Sequence, residues 1–135
     1  MLHTDTRIYR KSLDLIRNCS RVIDGLPRGH AHLADQLRRA ASSITLNSLC
    51  AQGAHQSEAR SAHLASLRVA ESFAEGAGKR SAPDRLRYFH SARGSANEVV
   101  AILDVALAFR AVEASLHDEV VELADHLAAM LSRFH

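Results

Sequence analysis

Residues 74–81 read AEGAGKRS, a lysine behind two glycines and ahead of a serine, which is the chemistry of a phosphate cradle. A loop of the form GxxxxGK[ST] wraps backbone amides round the phosphates, and its lysine reaches the terminal ones. With Lys79 in that role Gly78 fits, but Phe73 stands where the first glycine belongs and Arg80 where the hydroxyl belongs. The cradle must also follow a strand, whereas RVAESFAE ahead of it is Ala-rich and free of turn residues. No nucleotide site is expected here. Gly76 and Gly78 instead read as helix-ending and loop residues, with Lys79 and Arg80 placed favourably at a helix C-terminus.

Nine histidines raise metal chemistry. Ligands on one helix must be three or four residues apart to face one ion. His55 and Glu58 satisfy this, but neither His63 nor the pair His117 and His126 completes a set. The expectation is no metal and no cofactor. Ser, His and Asp occur without a GxSxG or other activated-nucleophile setting, so no enzymatic activity is expected.

The elements that must position any site are helices. Among 135 residues there are 23 alanines and only two prolines, which predicts one all-α domain spanning 1–135. Apolar residues recur at helical spacing over about 5–24, ended by DGLPRG with Gly25 as the cap and Pro27 as the block. A second helix starts near 30–34 and turns Leu33, Leu37, Ala40, Ala41, Ile44 and Leu46 inward. A third covers about 83–110 and includes Phe89, Ala96, Val99, Leu103 and Phe109. SLHD at 115–118 resembles a capping box and opens the last helix. Gly94 inside the third helix costs about 1 kcal/mol relative to Ala and predicts a close helix crossing. An antiparallel bundle follows. No run of 18 apolar residues or apolar leader segment occurs, and two distant cysteines, Cys19 and Cys50, suit buried positions in a reducing compartment, so a cytoplasmic protein is expected.

Charge is segregated. Residues 1–93 hold 15 basic and 8 acidic side chains, and 94–135 hold 2 basic and 7 acidic. Such asymmetry suits either a polyanion or pairing between helices or subunits of opposite sign. Arg7, Arg10, Arg38, Arg39, Lys79, Arg80, Arg85 and Arg87 are the candidate phosphate contacts for structured RNA or DNA. Tyr9, Tyr88 and Phe89 are too few for a base-stacking platform.

Three separated stretches carry a resemblance: ADQLRRAASSITLN at 34–47, AEGAGKRS at 74–81 and YFHSARGSANEVVAILDVAL at 88–107. In this order they resemble the four-helix bundle proteins encoded in intervening sequences of bacterial large-subunit ribosomal RNA genes. They are also similar to the accessory variability proteins of diversity-generating retroelements. The resemblance implies a non-enzymatic bundle that forms homo-oligomers, pentamers among known relatives, with basic surfaces toward RNA or DNA. The alternative it offers is a protein-interaction scaffold partnering a reverse transcriptase. Gln36, Arg38, Arg39, Glu75, Gly76, Lys79, Arg80, Gly94, Ser95 and Glu98 match the family motifs. Gly76, Gly94 and Ser95 are expected to pack and cap, and Glu75 and Glu98 to pair with Arg38 or Arg39 across neighbouring helices.

Against that pattern, residues 48–72 are an insertion of 25 residues. One helix over 31–75 would span about 68 Å, while the other helices would reach only about 30–42 Å. The first helix would then cover the near half, the third and fourth the far half, and another subunit would complete each in an intertwined or domain-swapped homo-oligomer, most simply a dimer. The alternative is a turn at QGAHQS, with a separate helix over 58–75.

Overall fold

The computed structural model describes residues 3–51 and 82–133, with burial and side-chain surroundings given for 7–51 and 85–133. Every regular element among them is an α-helix: α1 (His3–Gly25), α2 (Ala31–Ala51), α3 (Ala82–Ala108) and α4 (Ala114–Leu131). Each helix packs on its two neighbours in a ring, α1 on α2, α2 on α3, α3 on α4 and α4 on α1.

Cross-helix bonds fix the directions. His30, between α1 and α2, stacks on Phe109, between α3 and α4, at 5.4 Å, so both short loops lie at one end of the bundle. Measured down from that end at 1.5 Å per residue, Arg21 and Glu119 lie at about 6 and 7 Å, and Ser12 and Thr45 at about 20 and 21 Å. Ser43 and Ser95 lie at about 18 and 20 Å on the same scale. All three pairs are bonded, at 2.9 Å each. The matching depths define an up-down-up-down bundle.

The apolar stripes meet along its axis. Ile8, Leu15, Cys19 and Val22 of α1, Leu33, Leu37 and Ile44 of α2, Val99 and Leu103 of α3, and Val120, Leu127 and Leu131 of α4 are buried together. α2 changes character along its length. Up to Ser43 it keeps a solvent face, but from Ile44 to Ala51 every residue is buried. The polar side chains there are satisfied: Thr45 Oγ1 donates to Ser12 Oγ, which donates to the Tyr9 carbonyl, and Ser48 Oγ donates to the Ile44 carbonyl.

α2 runs unbroken past Asn47 to Ala51, where the described residues pause. The remainder of the proposed 31–75 helix lies outside them, as does the alternative turn. The division of labour argued from that long helix does not hold. α3 packs on the near half of α2, and α3 and α4 close the ring with α1 within one chain. Thirty residues separate Ala51 from Ala82, and a connection of that length leaves α3 free to return to the near half.

Helix ends supply three further corrections. Gly25 is the last helical residue of α1, and the left-handed residue of that loop is Gly29, at φ +96°. α4 starts at Ala114 behind an extended Glu113 that makes no side-chain cap, so SLHD is not a capping box. α3 ends with Arg110 at φ 60°: its amide donates to the Leu107 carbonyl and that of Ala111 to the Ala106 carbonyl. This is a Schellman ending with arginine where glycine is usual. It throws Phe109, expected inside the bundle, out to 59% exposure.

Candidate nucleic-acid interface

α1 carries its charges at helical spacing on the solvent face. Arg7, Arg10, Asp14, Arg17, Arg21 and Asp24 are all exposed. Arg17 pairs with Asp14 at 2.7 Å and Arg21 with Glu119 of α4 at 2.9 Å. Arg7 and Arg10, one turn apart, have no ion-pair partner among the described residues.

The other candidates lie elsewhere on the ring. Arg85 and Arg87 are exposed on the first turns of α3, at the same end of the bundle as Arg7 and Arg10 but diagonally across it. Arg38 and Arg39 are exposed on α2, about 10–12 Å below the loop end, whereas Arg7 lies about 27 Å below it. The six described candidates thus fall at two levels and on three helices. Lys79, Arg80, Glu75 and Gly76 lie outside the described residues. α4 opposes this distribution: Asp118, Glu119, Glu122 and Asp125 are exposed along it, behind an exposed Glu113.

The motif residues resolve into distinct roles. Ser95 Oγ donates to Ser43 Oγ across α3 and α2, and Asn47 Nδ2 donates to the Ser43 carbonyl and hydroxyl, so Ser95 is a packing contact. Gly94 does not mark a crossing within the chain: it is exposed, and a Cβ there would meet nothing within 4 Å. Its position 180° round α3 from Leu103 explains this, because the core lies on the other side. Arg38 pairs with Asp35 of its own helix at 3.5 Å, and Glu98 is exposed with no ion pair among the described residues. The expected link from Glu98 to Arg38 or Arg39 is therefore absent. Gln36 is exposed on α2.

One polar cluster escaped the sequence. His117, in the first turn of α4, is buried, with Nε2 2.8 Å from Asp104 of α3 and Nδ1 2.8 Å from Asp118. Burial alone lowers the imidazole's proton affinity, but the two carboxylates outweigh it and hold the ring above its ordinary value of 6.5. Both nitrogens are occupied, so the cluster is a clamp between helices. A histidine at an apolar helix position carried no sign of two carboxylates, one of them a helix away. Cys19 is buried among apolar side chains, which pushes its thiol up to about 12 and leaves it inert.

The model of the 23S rRNA-intervening sequence protein family matches residues 59–133, more than half of the chain. The chain belongs to this family. The 23S rRNA-intervening sequence protein match takes in α3 and α4 entire and continues upstream through residues 59–72, within the segment read as an insertion. It does not extend to the 34–47 motif. None of the curated proteins matches the chain. No helix among the described residues is long and apolar enough to cross a membrane.

Proposed function

We propose that the protein is a non-enzymatic, self-assembling helical bundle that binds structured nucleic acid through phosphate contacts. The observation that supports this is the pair of exposed guanidiniums on the solvent face of α1, Arg7 and Arg10, one turn apart and without an ion-pair partner among the described residues, on a chain of the 23S rRNA-intervening sequence protein family. Arg85 adds a cation at the same end of the bundle, and Arg39 adds one on α2. Contacts of this kind position a backbone without reading sequence. The experiment is a salt titration of binding to duplex RNA and duplex DNA. Arg7→Ala with Arg10→Ala should weaken binding to all sequences alike and flatten the slope of log affinity against log salt by up to about 1.8, from ~0.9 per contact.

A second reading has its own observation. The acidic face of α4 repels phosphates and suits a basic protein surface, as in an accessory subunit or scaffold. Failure of the protein to bind either duplex at low salt would select that reading.

A further inference from the structure

Two large hydrophobic side chains are exposed among the described residues, and both stand at the loop end: Val105 at 43% and Phe109 at 59%. They are four residues apart on the outward side of α3 and its Schellman ending. Phe109 does not stand alone. The ring of His30 packs against it, centroids 5.4 Å apart and tilted by 53°, and His32 lies 6.2 Å beyond His30. Three rings, Phe109 and His30 of the two loops and His32 in the first turn of α2, thus form a ladder whose Phe109 end is open to solvent.

His30 is a support for that outer ring. Its Nδ1 is buried and has no hydrogen-bond partner among the described residues. An unsatisfied buried nitrogen costs about 1–3 kcal/mol, so hydrogen bonding is not what places the ring there. Its ring contacts are with Phe109 and His32, and the first of them backs the phenyl ring.

Cations flank the ladder on both loops. Arg28 and Arg110 are exposed, and neither has an ion-pair partner among the described residues. Asp24 and Glu113 are also exposed near this end, and Asp35, Asp104, Asp118 and Glu119 stand about 6–8 Å below it, each in an ion pair, so the field is mixed rather than basic; the two guanidiniums lie near the rings in sequence, Arg110 following Phe109 and Arg28 preceding His30 by two residues. Arg39 and Arg38 lie about 10–12 Å down the adjacent α2. An exposed aromatic ring backed by a second ring, with exposed guanidiniums next to it in sequence, has the parts that take an unstacked base on a ring face and its phosphates on cations.

We propose that the loop end is a stacking site for an unpaired nucleobase, with Phe109 as the platform, His30 as its support, and Arg28 and Arg110 as the phosphate contacts. This rests on the reading of the protein as a nucleic-acid binder and adds to it the preference for a looped-out or terminal base over a fully paired duplex.

The test compares an RNA hairpin with an unpaired loop against a blunt duplex of equal charge, using wild type, Phe109→Ala and Phe109→Trp. Wild type should prefer the hairpin. Phe109→Ala should bind the hairpin about five- to a hundredfold more weakly and the blunt duplex unchanged, while Phe109→Trp keeps the preference. Circular dichroism should show that all three fold alike, as expected for an exposed position. Equal hairpin affinity for wild type and Phe109→Ala, or no preference in wild type, would overturn the stacking site and leave phosphate binding intact. No binding to either RNA would remove both. A fall in mass by light scattering on Phe109→Ala, with RNA affinity unchanged, would assign the patch to contact between copies instead.

Discussion

Nε2 of His117 lies 2.8 Å from Oδ1 of Asp104, tying the first turn of α4 to α3 one turn before α3 ends. With Asp118 on the other ring nitrogen at 2.8 Å, the imidazolium donates at both sides and is favoured over the neutral ring.

The folded value of His117 is raised, so the stability it contributes is fully present below the ordinary value of 6.5 and is lost as pH rises through the higher folded value. His117→Gln should therefore cost more stability at pH 5.5 than at pH 8.5. Urea midpoints at both pH values measure this, and a cost independent of pH would show that the ring is neutral in the fold.

Arg110 holds φ 60°, a conformation that costs a residue with a Cβ about 1–2 kcal/mol and glycine almost nothing. Glycine surrenders more backbone freedom on folding, which offsets part of the gain. Arg110→Gly should stabilise the protein by about 0.5–1 kcal/mol, and Arg110→Ala should not. Chemical denaturation of both variants separates relief of the backbone from loss of the guanidinium.

Thr45 Oγ1 donates to Ser12 Oγ at 2.9 Å inside the α1–α2 interface. Ser12→Ala leaves the threonine hydroxyl buried without its acceptor and should cost about 1–3 kcal/mol. Adding Thr45→Val to Ser12→Ala should recover part of that cost, because nothing polar is then left bare. A double-mutant cycle with purely additive terms would deny the coupling.

In a Cys50→Ala background, Cys19 should resist a thiol reagent at pH 8 in the native protein and react on unfolding, since burial holds its thiol at about 12. Labelling followed by mass spectrometry against urea gives the result. Prompt native labelling would mean that α1 opens locally.

What was legible in the sequence follows from period. Leu33, Leu37, Ala40, Ala41, Ile44 and Leu46 repeat at helical spacing, and all are buried. Gly94 misled because a glycine's cost is readable while its neighbours are not. The Schellman ending at Arg110 was hidden because it lacks the glycine that usually announces it. The ring ladder was hidden for a different reason: Phe109 and His30 are 79 positions apart, and only antiparallel closure brings their loops to one end. The arginines were visible as residue types, but their levels on the bundle depend on helix direction, which needed the cross-helix bonds.

The lower part of α2 bears on how the chain can vary. In an ordinary bundle helix, tolerance to substitution rises and falls with a period near 3.6 residues, because one position in every turn faces water. Along α2 that rhythm should persist through His32, Asp35, Gln36 and Arg39 and then stop at Ile44, since the next eight residues have no outward side. A saturation scan would read this segment as a flat stretch of intolerance two turns long. Its threonine, asparagine and serine would be as constrained as its leucines, each for the shape of its polar bonds, and a probe for α2 would find its usable positions only above Ile44.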